Sequence, residues 1–216
     1  MDLKTVDKLL TTTRTVRKRL DFERPVPPEI IMECLNLAIQ APTGGNSQGW
    51  RFLVVTDSEK KARIGELYAK SFFIYAKEQQ ANPPAPGEAR AGRLGRVASS
   101  ATYLARNMHR APALVIPCIN GRVENAGQMN QAGFYGSILP AAWSFMLALR
   151  ARGLGAAWTT LHLRYADQIA ELLGIPDDIT QAALLPVAYF KGEDFKPAKR
   201  VPAEEISWWN QWGKLR

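Results

Sequence analysis

The stretch "QMNQAGFYGSILPAAWSFMLALRAR", Gln128 to Arg152, carries apolar side chains on nearly every side of a helix. A helix that is apolar all round is not stable against water, so this one predicts burial at the centre of the molecule. Pro140 can kink it, and Gly153, directly after it, can close it.

Other elements flank it. Leu3, Val6, Leu9 and Leu10 form a helical stripe behind Asp2, a candidate N-cap. "PPEIIMECLNLAIQ" reads as a second helix that starts on proline, where a missing N–H costs nothing. A strand over 51–56 leads to a helix capped by Asp57 or Ser58, with Ile64, Leu67, Tyr68 and Phe72 on its apolar face. Residues 79–88, "QQANPPAPGE", have no apolar periodicity and predict a mobile surface segment. Arg90 to Arg110 reads as a helix with Leu94, Val97, Ala101, Leu104 and Met108 on one face. "PALVIPCI" predicts a buried strand, "LGAAWTT" a strand or extended loop, and Ala166–Leu173 a short helix ended by Gly174. "QAALLPVAY" predicts one last strand. The tail "KPAKRVPAEEISWWNQW" holds Trp208, Trp209 and Trp212 without strong periodicity, and should lie across a surface such as a partner subunit's.

A chain of 216 residues, 46% hydrophobic and 22% charged, suits a globular domain with a sizeable core. No apolar run approaches the roughly 18 residues of a membrane span, and "MDLKTVDKLL" lacks a signal peptide's apolar region. The expectation is a cytoplasmic protein with no membrane partner. Cys34 and Cys118 sit in apolar patterns and read as small buried hydrophobes rather than a disulfide framework. His109 and His162 lack ligand spacing, so no metal site is expected. The formal charge of +8 and a pI near 9.7 suit a solvated basic surface or an anionic partner. No helix-turn-helix, zinc-finger or RNA-binding signature is present, and the basic residues form separate clusters, not one stripe. Nucleic acid is therefore not expected, whereas small anions such as phosphorylated cofactors fit.

Four segments carry chemistry. In "RTVR", Arg14 to Arg17, two guanidinium forks can hold a phosphate by parallel charge-assisted bonds, and the Thr15 hydroxyl adds a donor. "APTGGNSQGW", 41–50, sets small polar side chains on an unhindered backbone that a flat ligand can approach, and Asn46 offers both donor and acceptor to a heterocycle edge. "GLGAAWTT", Gly153 to Thr160, places an aromatic ring and two hydroxyls after a glycine turn. Its lone G-x-G lacks the spacing and the βαβ unit of a dinucleotide fingerprint. "KPAKR" ends in Arg200, a basic cluster beyond the last strand.

In this order and at these separations the four segments resemble the FMN-dependent nitroreductase family, over nearly the whole span from Arg14 to Arg200. "RTVR" is similar to the family's Arg-Ser-x-Arg element, with Thr15 in place of the usual serine. "APTGGNSQGWRF" is similar to its Ala-Pro-Ser-x-x-Asn-x-Gln-x-Trp loop, with Gly49 in place of the usual proline. The resemblance implies an α+β fold, a three-layer α/β/α sandwich around a mixed, mainly antiparallel sheet. It also implies an entwined homodimer in which residues 1–216 form a single nitroreductase-like domain. Residues 201–216 would embrace the partner, and residues 79–96 would form a lid whose Arg90, Arg93 and Arg96 favour NADPH.

By the same resemblance, Arg14, Thr15, Val16, Arg17 and Arg200 would hold the phosphate and pyrimidine side of FMN. Pro42, Thr43, Gly44 and Asn46 would close the site from the partner subunit. Trp158, Thr159 and Thr160 would line the ring near its reactive N5. The implied activity is reduction of an electron-poor nitroaromatic or quinone, a small-molecule electron acceptor, with NADPH or NADH as reductant in a ping-pong cycle. No side-chain nucleophile is required. Two alternatives stand beside it. One is reductive dehalogenation of a halotyrosine, for which Tyr75, Lys77 and Glu78 are candidate contacts. The other is a non-catalytic basic module that binds nucleic acid.

Overall fold

A computed structural model of the protein describes residues 2–81 and 94–214. They fall into two units, residues 14–192 and residues 1–13 together with 193–216. The larger unit is organised on β3 (Ala113–Asn120), a strand of β-branched and small apolar residues buried along all but its last position. Around it run β1 (Leu20–Asp21), β2 (Trp50–Val55), β4 (Leu154–Ala156), β5 (Ile179–Gln181) and β6 (Leu185–Phe190). The main order is β1-β6-β3-β2; β4 pairs with β6, and β5 with β3. Every pairing is antiparallel.

Helices cover both faces. Strand alternation turns Ala113 and Val115 toward α2 (Pro28–Ala38) and α5 (Gln128–Ala151), where they share a core with Cys34, Phe145, Leu149 and Leu185. Leu114 and Ile116 point the other way and are equally buried. On that side lies α3 (Ser58–Ala81), since its Tyr68 neighbours Thr159 while the adjacent Trp158 packs into the α5 core. The fold is the α+β arrangement expected.

α5 departs from expectation in two ways. It is long and apolar enough, by length and composition, to cross a membrane, although no such run was expected. It is also not fully covered by its own chain. Ile138, Phe145 and Leu149 are buried, but Met129 is 82% exposed and Trp143 38%. The helix runs through Pro140 without interruption. That residue withholds an N–H from the carbonyl of Gly136. Gly153 closes the helix as expected, at φ +75°, and its N–H donates to the Arg150 carbonyl over 3.2 Å.

"QAALLPVAY" is two strands, not one. Between the pairs Cys118↔Gln181 and Val115↔Leu185, residues 182–184 face only Ile116 and Pro117 on β3. Pro117 accepts from the Ala182 N–H over 2.8 Å but has no N–H to return, so the ladder breaks there and one extra residue is accommodated. The expected helix from Arg90 to Arg110 is α4 (Leu94–Asn107) followed by a 3₁₀ turn, Met108–Arg110; residues 90–93 lie outside the described residues. Val97, expected on its apolar face, is exposed. α6 (Ala166–Leu173) ends on Gly174 at φ +67°, a left-handed cap.

In the smaller unit α1 (Leu3–Thr12) is capped by Asp2, whose carboxylate accepts the Lys4 N–H over 3.2 Å. Leu3 and Leu10 of its stripe are exposed. In the tail Trp208 packs on Trp212, with ring centroids 3.9 Å apart. Lys8 and Asp194 form an ion pair within this unit. Both cysteines are free and buried.

The α5 core sets the stability of the larger unit. Phe145→Ala empties a site with no solvent access, and is expected to cost about 3–5 kcal/mol. Urea unfolding monitored by far-UV circular dichroism measures it, and a loss below about 1 kcal/mol would contradict the central place of this helix.

Candidate functional site

Two of the four chemistry-bearing segments meet. The Val16 N–H donates to the Ala156 carbonyl of β4 over 2.9 Å, and the Val16 side chain is buried on Gly155. A Cβ at Gly155 would stand 2.9 Å from Val16 Cγ2, so only glycine lets the two backbones approach this closely. Arg14–Arg17 is thereby held beside β4 and the residues that follow it, Trp158 to Thr160. Arg14 is exposed, Thr15 half-buried and Arg17 half-buried.

Both segments also neighbour α3. Thr159 is buried and its hydroxyl donates to the Leu184 carbonyl over 2.8 Å. Tyr68 of α3 stands close enough to Thr159 and to the Arg17 charge for both to act on its phenol. Burial pushes the Tyr68 phenol up to about 12, against the opposing pull of Arg17 and Thr159. Burial likewise lowers Arg17 from its ordinary value, with Tyr68 acting in the other direction. The Arg17 guanidinium also reaches the Ser100 hydroxyl at 3.4 Å, and Lys18 donates to Ser99 at 2.8 Å. Thr159 is thus committed inside the protein, whereas Thr160 is exposed and Trp158 half-buried.

The loop at 41–50 is pinned elsewhere. The Gly44 N–H donates to Ser137 Oγ over 3.1 Å, Ser137 donates to the Gly133 carbonyl over 2.8 Å, and Trp50 Nε1 donates to the Ser137 carbonyl over 3.0 Å. These contacts clamp the loop to the N-terminal half of α5. Asn46 and Gln48 adopt φ +52° and +50°, a left-handed conformation that costs most side chains energy. The Gln48 amide donates to Asn46 Oδ1 over 3.2 Å. Pro42, Gly44 and Asn46 are exposed and Thr43 half-buried. Counted across the strands, about three spacings of roughly 4.8 Å and about three residues along them separate Trp50, at the end of this loop, from Thr159, or roughly 18 Å. One chain does not bring them together. Arg200 is exposed in the smaller unit.

Sequence reasoning counted Tyr68 only in an apolar stripe and missed that Arg17 and Thr159 are its neighbours. A buried phenol needs a bond for its hydroxyl, and that requirement was the available signal. Ser137 and Ser100 carried no such sign. A groove of about 970 Å³, bordered by Arg122, Tyr135, Arg164 and Asp167, contains none of the predicted residues. Its arginines are already paired, Arg122 with Glu124 and Arg164 with Glu78.

The family model described as "Nitroreductase family" matches residues 10–189. The chain belongs to the nitroreductase family. Among relatives of this nitroreductase-family chain, an iodotyrosine deiodinase of Thermotoga neapolitana is 26% identical over 208 residues, 94% of this chain and 96% of that protein. A BluB-like flavoprotein from Clostridium difficile superposes with a TM-score of 0.70 at 19% identity, covering 98% of this chain and all of the other. An FMN- and NADPH-dependent nitroreductase from Sphigopyxis sp. strain HMH does so at 0.65 and 21%, covering 95% of this chain and 99% of that one. Both structures show a shared fold.

His162, in the 3₁₀ turn Leu161–Tyr165 that follows Thr160, has no solvent access and, among the described residues, no partner on either ring nitrogen. Burial pushes it down to about 3 from 6.5. Above pH 6.5 the folded and unfolded chains both hold it neutral. As pH falls from 6.5 toward 3 only the unfolded chain takes up this proton, so stability is lost on acidification. His162→Leu should flatten that fall by up to about 1.4 kcal/mol per pH unit. Unfolding free energies of the two proteins at a series of pH values test this, and parallel curves would place a charged His162 in the fold.

Proposed function

We propose that the protein is an FMN-dependent oxidoreductase that reduces electron-poor nitroaromatics or quinones with NADPH or NADH. The observation that supports it most is the seating of Val16 on Gly155, which holds the Arg14–Arg17 segment alongside β4, just before Trp158 and Thr160. That donor set fits a phosphorylated flat heterocycle. Arg14 and Arg17 bind the phosphate with Thr15, and Val16 anchors their backbone. Arg200 is a further phosphate contact. Trp158 and Thr160 orient the ring edge, and Thr159 holds the backbone between them. FMN, when bound, supplies the electron-transfer chemistry.

A second copy of the chain completes the site. Pro42, Thr43, Gly44 and Asn46 stand too far from Arg17 to serve it within one chain, so in this reading they close the partner's site and exclude water from it. The apolar surface left exposed by Met32 and Leu37 of α2 and by Met129, Leu139 and Trp143 of α5 suits burial in such a dimer. Residues 201–216 form the embracing arm of a single domain spanning 1–216, with Trp209 and Trp212 as anchors. Residues 79–96 form the lid, of which 82–93 lie outside the described residues.

The deiodinase relative favours a second reading, reductive dehalogenation of a halotyrosine. Glu78, one of its candidate contacts, is ion-paired with Arg164, and Lys77 is exposed. Turnover of a halotyrosine against a nitroaromatic by the reduced protein separates the two.

Purified protein should be yellow. Arg14→Ala or Arg17→Ala should weaken FMN about tenfold or more, since charge-assisted bonds are worth roughly 1.5–3 kcal/mol each. Unchanged FMN affinity in both variants, measured by flavin fluorescence titration, would sink the assignment. Deletion from Glu204 onward should cost dimer and flavin together; sedimentation showing a folded, yellow monomer would refute the shared site.

A further inference from the structure

Residues 17–23 run alongside α4. Lys18 Nζ donates to Ser99 Oγ over 2.8 Å, and Arg17 Nη1 donates to Ser100 Oγ over a longer 3.4 Å. One turn further the Phe22 ring stacks on Tyr103, with centroids 6.4 Å apart and planes 6° from parallel. Arg110, just past the helix, is ion-paired with Glu23. Adjacent cations thus meet adjacent hydroxyls, in a register that a ring pair and an ion pair fix beyond them. The Ser100 proton is already committed, since its hydroxyl donates to the Val97 carbonyl over 3.0 Å. Toward Arg17 it can therefore only accept, which is what a guanidinium requires.

The chemistry of this partner matters. Among the described residues Arg110, Arg122, Arg152 and Arg164 are each paired with a glutamate, whereas Arg17 and Lys18 are in no ion pair. A carboxylate would orient the guanidinium and also spend its charge. A hydroxyl orients it and leaves the charge for an anion. Helix formation does not account for the two serines either, since alanine is preferred in a helix interior. Ser99 is exposed and Ser100 half-buried, so the core does not demand them.

We propose that Ser100 is a positioning residue, whose hydroxyl holds the Arg17 guanidinium for a phosphate while leaving its charge unspent, with Ser99 holding Lys18 beside it. α4 is then a second support of the Arg14–Arg17 segment, acting on its side chains as Gly155 acts on its backbone. The inference rests on the FMN reading above.

The test uses the full chain, with FMN as the titrant and the melting temperature of the flavin-free protein as the readout of fold. Ser100→Ala should weaken FMN about fivefold and leave the melting temperature within about two degrees of wild type. Ser100→Thr keeps the hydroxyl and should restore the affinity to within about twofold. Ser100→Asp should weaken FMN about tenfold or more, because its carboxylate takes the guanidinium away from the phosphate. In an Arg17→Ala background Ser100→Ala should cost nothing further, since it acts through that side chain. Wild-type affinity in Ser100→Ala would overturn the proposal, as would a Ser100→Asp variant that binds as tightly as wild type. Losses that add in full to those of Arg17→Ala would overturn it too. Affinity lost together with several degrees of melting temperature would make Ser100 part of the fold alone, against the proposal. Absence of FMN binding by the wild-type chain refutes the functional reading itself, before any variant is compared.

Discussion

Leaving a 24-residue apolar helix in water is the cost that the larger unit is arranged to avoid, and α5 accordingly gathers the elements that matter around it. One side is covered by α2 and the sheet. Its C-terminal end delivers Gly153 and β4, the platform on which Val16 rests. Its N-terminal half offers Ser137, which clamps the 41–50 loop. The same helix thus places two chemically distinct segments at separate stations of one rigid rod. A helix rises about 1.5 Å per residue, so neither station can drift toward the other without unpacking the core. The exposed face of the rod, with Met129, Leu139 and Trp143, is what a single chain leaves unfinished.

How much of this was legible depended on which physical signal each element carries. α2, α5, β3 and the Gly153 closure were readable because periodicity, capping and backbone freedom are local properties. The break at residues 182–184 was not, since nothing in "QAALLPVAY" marks it; the cause lies in Pro117, on a neighbouring strand, whose missing N–H faces that stretch. The stripe on α3 was found, but periodicity registers hydrophobic area and does not register where one oxygen points. That is why Tyr68 was counted correctly as core and its polar neighbours were overlooked. The grouping of Arg14–Arg17 with Trp158–Thr160 came from the order of motifs, and the structure gives it a local cause in Gly155. The full apolar circumference of α5 was read as complete burial, although one chain covers only part of it.

The basic composition finds a partly structural explanation. Arg19 and Arg150 lie over the Phe190 ring, at 5.5 and 5.1 Å, and Arg24 lies 3.5 Å over Tyr189. Arg110 lies over Phe22 and is also ion-paired with Glu23. Several arginines therefore act as lids on aromatic rings at the β1–β6 edge, where a guanidinium covers apolar surface and keeps its own hydration. Charge near Arg17 and Lys18 is of another kind, set among the hydroxyls of Ser99 and Ser100 on α4. Net charge alone does not distinguish these uses.

The pairing of β1 with β6 joins Leu20 to Phe190, close to opposite ends of the larger unit. A ribosome makes the Arg14–Arg17 segment well before its support in β4 and before β6, the strand that β1 closes against. At typical elongation rates of about 5–20 residues per second, the segment waits on the order of ten seconds or more before its partners exist. During that interval its arginines are simply solvated, with no pocket for an anion to find. The candidate site is therefore a property of the finished chain, assembled only when the two ends of the unit have met.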